Sequence, residues 1–392
     1  MNRRIRSMSI FAGTAAAAVA ATSAAQTCEP TDLFGSPDVL TAGDRVGFVR
    51  SGDLNNDGNP DLVATNFVED TISVYFGRGD GTFEARQSYE AGQEPNSLAI
   101  VDLNGDGHSD VVITSLRNRT AGVFLNNGDG TLASETQYAV GVNPFGVAVG
   151  DVDGDGDTDV VVPNSNNDTI SVLRNVGGGV LEDAGSFDAG DAPGAAVLRD
   201  ADGDGDLDAI TGASNSDSVS VVLNNGDGRF ETLRSFPVGD KPSWVEVDDV
   251  DGDGIEDIVV SNANDRTIGV LPGLGGGFYG EHHEFAVPST QVLSRFDLAD
   301  VDADGDPDVV IGSFARDQVY LLPNDGTGQF DTAFTVAFGD GPLGIHLDDL
   351  DNDGDTDLVV AFSSDDFISV QLNGCAAAPV ITQSPASVAV DS

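Results

Sequence analysis

The chain has 392 residues, 40% of them hydrophobic, and sets 17 basic against 66 acidic side chains for a formal net charge of -49. That length can bury a substantial core, as one large β domain or as two to three ordinary ones. The charge disfavours nucleic acid and anionic membrane surfaces as partners and favours divalent cations.

Residues 1-25 read as a secretory signal peptide. Arg3, Arg4 and Arg6 form a basic start, IFAGTAAAAVAA is an apolar run, and Ser23 and Ala25 supply small residues for cleavage after Ala25. The run is short for a membrane span and no later segment reaches 18 apolar residues, so a secreted, extracellular or cell-surface product without a membrane span is expected. Only two cysteines follow, Cys28 and Cys375, near the two ends of the mature chain.

An internal period governs the rest. Nonapeptides begin at Asp53 (DLNNDGNPD), Asp102 (DLNGDGHSD), Asp151 (DVDGDGDTD), Asp200 (DADGDGDLD), Asp249 (DVDGDGIED), Asp300 (DVDADGDPD) and Asp349 (DLDNDGDTD). They recur every 49 residues, with one interval stretched to 51. Before each lies a turn and an apolar run, such as GVNPFGVAV, with Pro95, Pro144, Pro193, Pro242 and Pro342 in one slot; the sixth unit, VPSTQVLSRFDL, lacks that proline. After each come an apolar run (VVVP, LVVAF), a polar segment, a β-branched run (TISVYF, TISVLR), a Gly-Asn-Asp turn and a weaker alternating run (ETQYAVG). These are strand-length runs between turn residues, four per unit, with no helical period.

Seven units of four short strands predict an all-β fold, a seven-bladed β-propeller over residues 26-375. A parallel β-helix is the rival, but its ends need not meet. Here DLFGSPDVLTAGD (32-44) aligns with fourth-strand segments, and none follows ISVQLN (368-373), so an N-terminal strand is expected to close the ring. Cys28 and Cys375 then flank the place of one interstrand turn, where a disulfide is expected, the alternative being two separately engaged thiols. The same alignment explains Arg78-Gly79-Asp80: GRGDGTF fills the slot of NNGDGTL and NNGDGRF, so this attachment-like triplet reads as turn chemistry. Residues 376-392 read as a linker or tail with an immunoglobulin-like strand pattern.

The nonapeptide pattern D-x-[DN]-x-D-G-x-x-D offers hard oxygen ligands at positions 1, 3, 5 and 9, with Gly at 6 letting the chain curl round one ion. That suits Ca2+, up to seven ions; zinc would want His or Cys. Position 12 is apolar or small, so the loop joins strand to strand and is not an EF-hand. The expected ligands are Asp53, Asn55, Asp57 and Asp61; Asp102, Asn104, Asp106 and Asp110; Asp151, Asp153, Asp155 and Asp159; and Asp200, Asp202, Asp204 and Asp208. They continue with Asp249, Asp251, Asp253 and Asp257; Asp300, Asp302, Asp304 and Asp308; and Asp349, Asp351, Asp353 and Asp357. Asn55 and Asn104 give their sites one charge fewer and weaker binding. In all, 31 of the 66 acidic residues lie in these loops and would repel one another without cations.

Loops and flanking segments together resemble the FG-GAP (VCBS-type) repeats of the integrin α-chain propeller and of many secreted bacterial proteins, over about residues 32-373. The resemblance implies calcium between first and second strands, and recognition on the opposite face, built here from segments such as SLRNRT, NSNNDT, NANDRT and SFARDQ. Arg117, Arg119, Arg266 and Arg316 stand out there. A monomeric adhesion or recognition scaffold for an extracellular protein or glycan is expected. The alternatives are a lectin with interblade pockets, or less favourably a polysaccharide-active enzyme. One tryptophan, Trp244, expected between blades, and five tyrosines cannot furnish seven sugar pockets. His108, His282, His283 and His346 show no shared spacing, so no catalytic residue and no organic cofactor are expected.

Overall fold

The computed structural model describes residues 33–289, 293 and 295–374. All regular elements among them are β-strands, and seven antiparallel four-stranded sheets account for nearly all of these. In blade 1 the strands are Val46–Gly52, Asp61–Asn66, Thr71–Tyr75 and Gln87–Glu90, in that spatial order. Blades 2 to 6 repeat this order through residues 95–139, 148–188, 193–237, 242–286 and 296–338. Blade 7 takes Pro342–Asp348, Asp357–Phe362 and Phe367–Gln371 from the C-terminal part and Asp38–Thr41 from the N-terminal part. The first strands touch one another in cyclic order, that of blade 7 against that of blade 1, so the sheets form a seven-bladed β-propeller. Cys28, Cys375 and the segments 1-25 and 376-392 lie outside the described residues.

Second strands are buried along their whole length in every blade, which explains their unbroken apolar runs. The core sits in the seams between blades: Val160, Val162 and Leu173 of blade 3 pack on Leu103, Val112 and Val123 of blade 2. Val359, Ala361 and Ile368 of blade 7 pack on Val49, Leu62 and Ala64 of blade 1. Fourth strands alternate with solvent, as their weaker pattern predicts.

The stretched interval has a definite location. Val238 N–H donates to Asp217 O in blade 4 and Val287 N–H to Arg266 O in blade 5, matching pairs 49 residues apart. The two extra residues therefore fall after Val287, in the connection to blade 6 that lacks the proline; Leu293 fills that slot and is buried.

Candidate functional site: the acidic loops and the channel axis

All seven nonapeptides join first to second strands, which places them on one face. Position 9 anchors each loop. Asp61 is fully buried; its Oδ2 accepts Leu54 N–H (2.9 Å) and its Oδ1 accepts Gly77 N–H (2.8 Å). Asp110, Asp159, Asp208, Asp257, Asp308 and Asp357 repeat both bonds at 2.7–3.1 Å. Burial pushes Asp61, Asp159, Asp208, Asp257 and Asp357 up to about 6 and Asp308 up to about 7, against backbone hydrogen bonds that lower them.

Position 1 organises the curl. Asp200 Oδ2 accepts Gly205 N–H (3.1 Å) and its Oδ1 accepts Gly203 N–H (2.8 Å) and Asp204 N–H (3.0 Å). Gly205, with φ at +100°, holds a conformation that side chains rarely adopt, which explains glycine at position 6. Three carboxylates converge in five loops: Asp151, Asp153 and Asp159; Asp200, Asp202 and Asp208; Asp249, Asp251 and Asp257; Asp300, Asp302 and Asp304; and Asp349, Asp351 and Asp353, each trio with ligand atoms within 4.8 Å of one another. Position 9 completes three trios and position 5 the other two.

The donor chemistry fits a hard divalent cation. Asp202 Oδ1 and Asp302 Oδ1 are buried without a hydrogen-bond partner, a costly state that a cation would relieve. In blades 1 and 2 the amides of Asn55 and Asn104 instead donate to Asp57 (3.1 Å) and Asp106 (3.0 Å), spending acceptor capacity inside the loop.

A clamp that the sequence did not announce supports these loops. Asn175 Nδ2 donates to Leu103 O of the preceding blade (2.6 Å) and to Thr158 O of its own (3.1 Å), while its Oδ1 accepts Gly177 N–H (3.0 Å). Asn126, Asn224, Asn324 and Asn373 make the same bond to the preceding blade. The repeated Asn before the turn is thus an interblade fastener. Gly77 replaces it in blade 1, where Arg78-Gly79-Asp80 follows: Asp80 Oδ1 accepts Thr82 N–H (3.1 Å) and the Arg78 guanidinium folds back onto Phe83 O (2.6 Å). That triplet is a self-bonded turn.

On the opposite face the second-to-third-strand turns carry a residue with positive φ. In five blades it is aspartate, whose carboxylate accepts a backbone N–H of the following blade: Asp70 from Glu94, Asp168 from Ala192, Asp217 from Lys241, Asp317 from Gly341 and Asp366 from Arg45. Arg119 and Arg266 hold this slot in blades 2 and 5.

A second constellation lies on the axis. Five places before each loop stand Phe48, Ser97, Gly146, Ala195, Trp244, Arg295 and Gly344; three places before stand Arg50, Ala99, Ala148, Val197, Glu246, Asp297 and His346. Trp244 is not between blades as the sequence suggested: it meets Phe48 of blade 1 across the channel, ring centroids 5.5 Å apart. Its Nε1–H donates to Glu246 (2.8 Å). Burial and the Asp297 charge push Glu246 up to about 7. Burial would raise Asp297 too, but Arg50 and the His346 hydrogen bond hold it below its ordinary value.

His346 Nδ1 stands 3.1 Å from Asp297 and its Nε2 2.7 Å from Ser51 Oγ, the connectivity of a Ser-His-Asp triad. Ser51, however, gives its single hydroxyl proton to Asp348. A proton committed to Asp348 is not available to His346, which opposes a nucleophilic role. Spacing could not find this set, because blades 1, 6 and 7 contribute it and only the ring brings them together.

The FG-GAP-like repeat family matches residues 53–113, 102–162, 151–211, 200–260 and 300–360. The chain belongs to that family. No curated protein matches it by sequence. Among solved structures this FG-GAP-like repeat protein is similar to virginiamycin B lyase from Staphylococcus aureus (TM-score 0.60, 13% identity, 86% of this chain and 99% of that one). It is also similar to BBS1N in complex with ARL6DN (TM-score 0.61, 10% identity, 88% and 97%). A third is a lectin from Agrocybe aegerita that recognises non-reducing terminal N-acetylglucosamine (TM-score 0.52, 20% identity, 77% and 90%). At these identities the likeness is one of fold. Among the described residues no helix is long and apolar enough to cross a membrane.

Proposed function

We propose that this propeller is a secreted, calcium-stabilised recognition scaffold that binds an extracellular protein or glycan through the face opposite its acidic loops and performs no catalysis. The carrying observation is the asymmetry of the two faces. One repeats a single carboxylate geometry, with five trios in ligand range and, among the described residues, four buried Asp oxygens unpartnered, on Asp202, Asp302 and Asp355. On the other, Arg119 and Arg266 take turn positions where five blades use aspartate to bond the next blade. Two repeats thus give up an interblade hydrogen bond and display a guanidinium, suited to carboxylates of a protein or an acidic glycan.

Equilibrium dialysis with calcium, followed by capture on a glycan array and on extracellular proteins, tests this reading. Several ions per chain are expected, with capture in calcium that falls at least about tenfold in the Arg119→Asp/Arg266→Asp variant. Absence of calcium uptake, or capture indifferent to both arginines, would sink it. Array hits on neutral sugars that survive the double substitution would favour the lectin reading. Trp244 is at the axis, 6% exposed, and so supplies no platform to an interblade sugar pocket.

A further inference from the structure

We propose that the channel axis holds a binding site for a zwitterionic aliphatic α-amino acid, its carboxylate received by Arg50 and its ammonium group by Glu246. Both side chains line a cavity of about 330 Å³, together with Phe48 and Trp244, within the size range of small-ligand sites. They occupy one repeat slot in blades 1 and 5, three places before the acidic loop. Yet they do not pair: among the described residues neither forms an ion pair with any group.

Each is held on its own wall. Arg50 Nη1 donates to Val49 O (3.1 Å) and to Ile345 O of blade 7 (3.1 Å), and its guanidinium lies over the Phe48 ring (4.3 Å to the centroid). Glu246 Oε1 accepts the Trp244 indole N–H (2.8 Å). Nε and Nη2 of Arg50 and Oε2 of Glu246 make no hydrogen bond among the described residues, and none of the three is among the buried unpartnered atoms, so all keep accessible surface. A cation and an anion fixed apart on one cavity thus leave a fork of N–H donors and a carboxylate oxygen unmatched, and charges partly withdrawn from water gain most from partners of opposite sign.

The charges around the cavity select a zwitterion. Arg50 and Arg295, the latter over Phe48 (4.5 Å) and Trp244 (5.2 Å), are matched in number by Glu246 and Asp297. Arg199 also lines the cavity but is already paired with Glu256 (3.4 Å). A ligand of net charge would upset that balance; one carrying both charges does not. Burial and the Asp297 charge push Glu246 up to about 7 against the pull of Arg50, and an ammonium group at Oε2 supplies the counter-charge it lacks. In blades 2, 3 and 4 the slot of Arg50 and Glu246 holds Ala99, Ala148 and Val197, an apolar arc of the same cavity that suits an alkyl side chain.

Trp244 is the chain's single tryptophan and its indole N–H is bonded to Glu246, so its fluorescence reports on this cavity. The full chain in calcium is titrated at about pH 8, where the Glu246 carboxylate is ionised, with L-leucine, 4-methylpentanoate, 3-methylbutylamine and glycine at constant ionic strength. Leucine is expected to change the emission saturably with a half-point of about 1 mM, and the three analogues, each missing one group, to bind at least about tenfold more weakly. Two variants should each weaken leucine at least about tenfold in isothermal titration calorimetry, with calcium stoichiometry and circular dichroism unchanged. Glu246→Gln keeps an acceptor for the indole and removes the charge; Ala148→Leu fills the apolar arc and leaves both charges in place. Should Glu246→Gln not fold, Ala148→Leu and the analogue series carry the decision. A non-saturating response to leucine, an analogue binding as tightly as leucine, or either folded variant binding leucine like the wild type would overturn the assignment.

Discussion

Asn175 shows how one side chain couples two blades. Replacing it with alanine removes three hydrogen bonds and leaves Leu103 O, in a buried site, and the part-buried Thr158 O without this partner. A loss of about 1–3 kcal/mol is expected in urea unfolding at fixed calcium. Position 9 predicts a pH effect of definite sign. In the folded chain burial pushes Asp61, Asp159, Asp208, Asp257 and Asp357 up to about 6, Asp308 up to about 7, and Asp110 upward as well, from an ordinary value of 3.8. Between about pH 4 and 7 the metal-free fold therefore binds more protons than the unfolded chain, and its stability must fall as pH rises through that window. In chelator, the melting temperature should be higher at pH 5.5 than at pH 7.5. Saturating calcium should flatten or invert this trend, since the cation needs the ionised form. Spacing alone pointed to these aspartates as candidate ligands. Their second duty, capping two backbone N–H groups each, was not legible, because one of the two donors lies 16 residues away on a different turn.

At the level of the element, each acidic loop is a separable unit. In Asp251→Ala the blade 5 trio of Asp249, Asp251 and Asp257 loses a member while the Asp257 anchor stays. Calcium stoichiometry should drop by one in equilibrium dialysis with the other sites intact, since these loops belong to different blades. Blades 1 and 2 should release calcium first during dilution, because Asn55 and Asn104 already bond the carboxylates of Asp57 and Asp106. Strand existence and order were readable because β-branched runs alternate with Gly-Asn-Asp turns on a fixed period. The partial departure is the connection into blade 6, which is two residues longer and has Leu293 where five other blades have proline.

For the whole molecule, charge and closure pull against each other. A ring carrying 31 acidic residues in seven loops on one face repels itself, a field that bound cations would relieve. Calcium at tenfold its dissociation constant contributes about 1.4 kcal/mol per site, so chelation should lower the melting temperature by many degrees, and scanning calorimetry with and without chelator reads it directly. The sequence by itself determined the number of blades, the strands in each and the positions of the acidic loops, since a 49-residue period and local turn chemistry repeat whatever the neighbours do. Only the tertiary structure decided what meets at the axis. Arg295 against Trp244 and Phe48, and His346 against Ser51 and Asp297, are contacts between residues 49 to 295 apart in the chain, made when the ring brings first strands together. A periodic pattern encodes each blade's relation to the next; what faces what across a closed circle depends on the rare positions where the repeats differ.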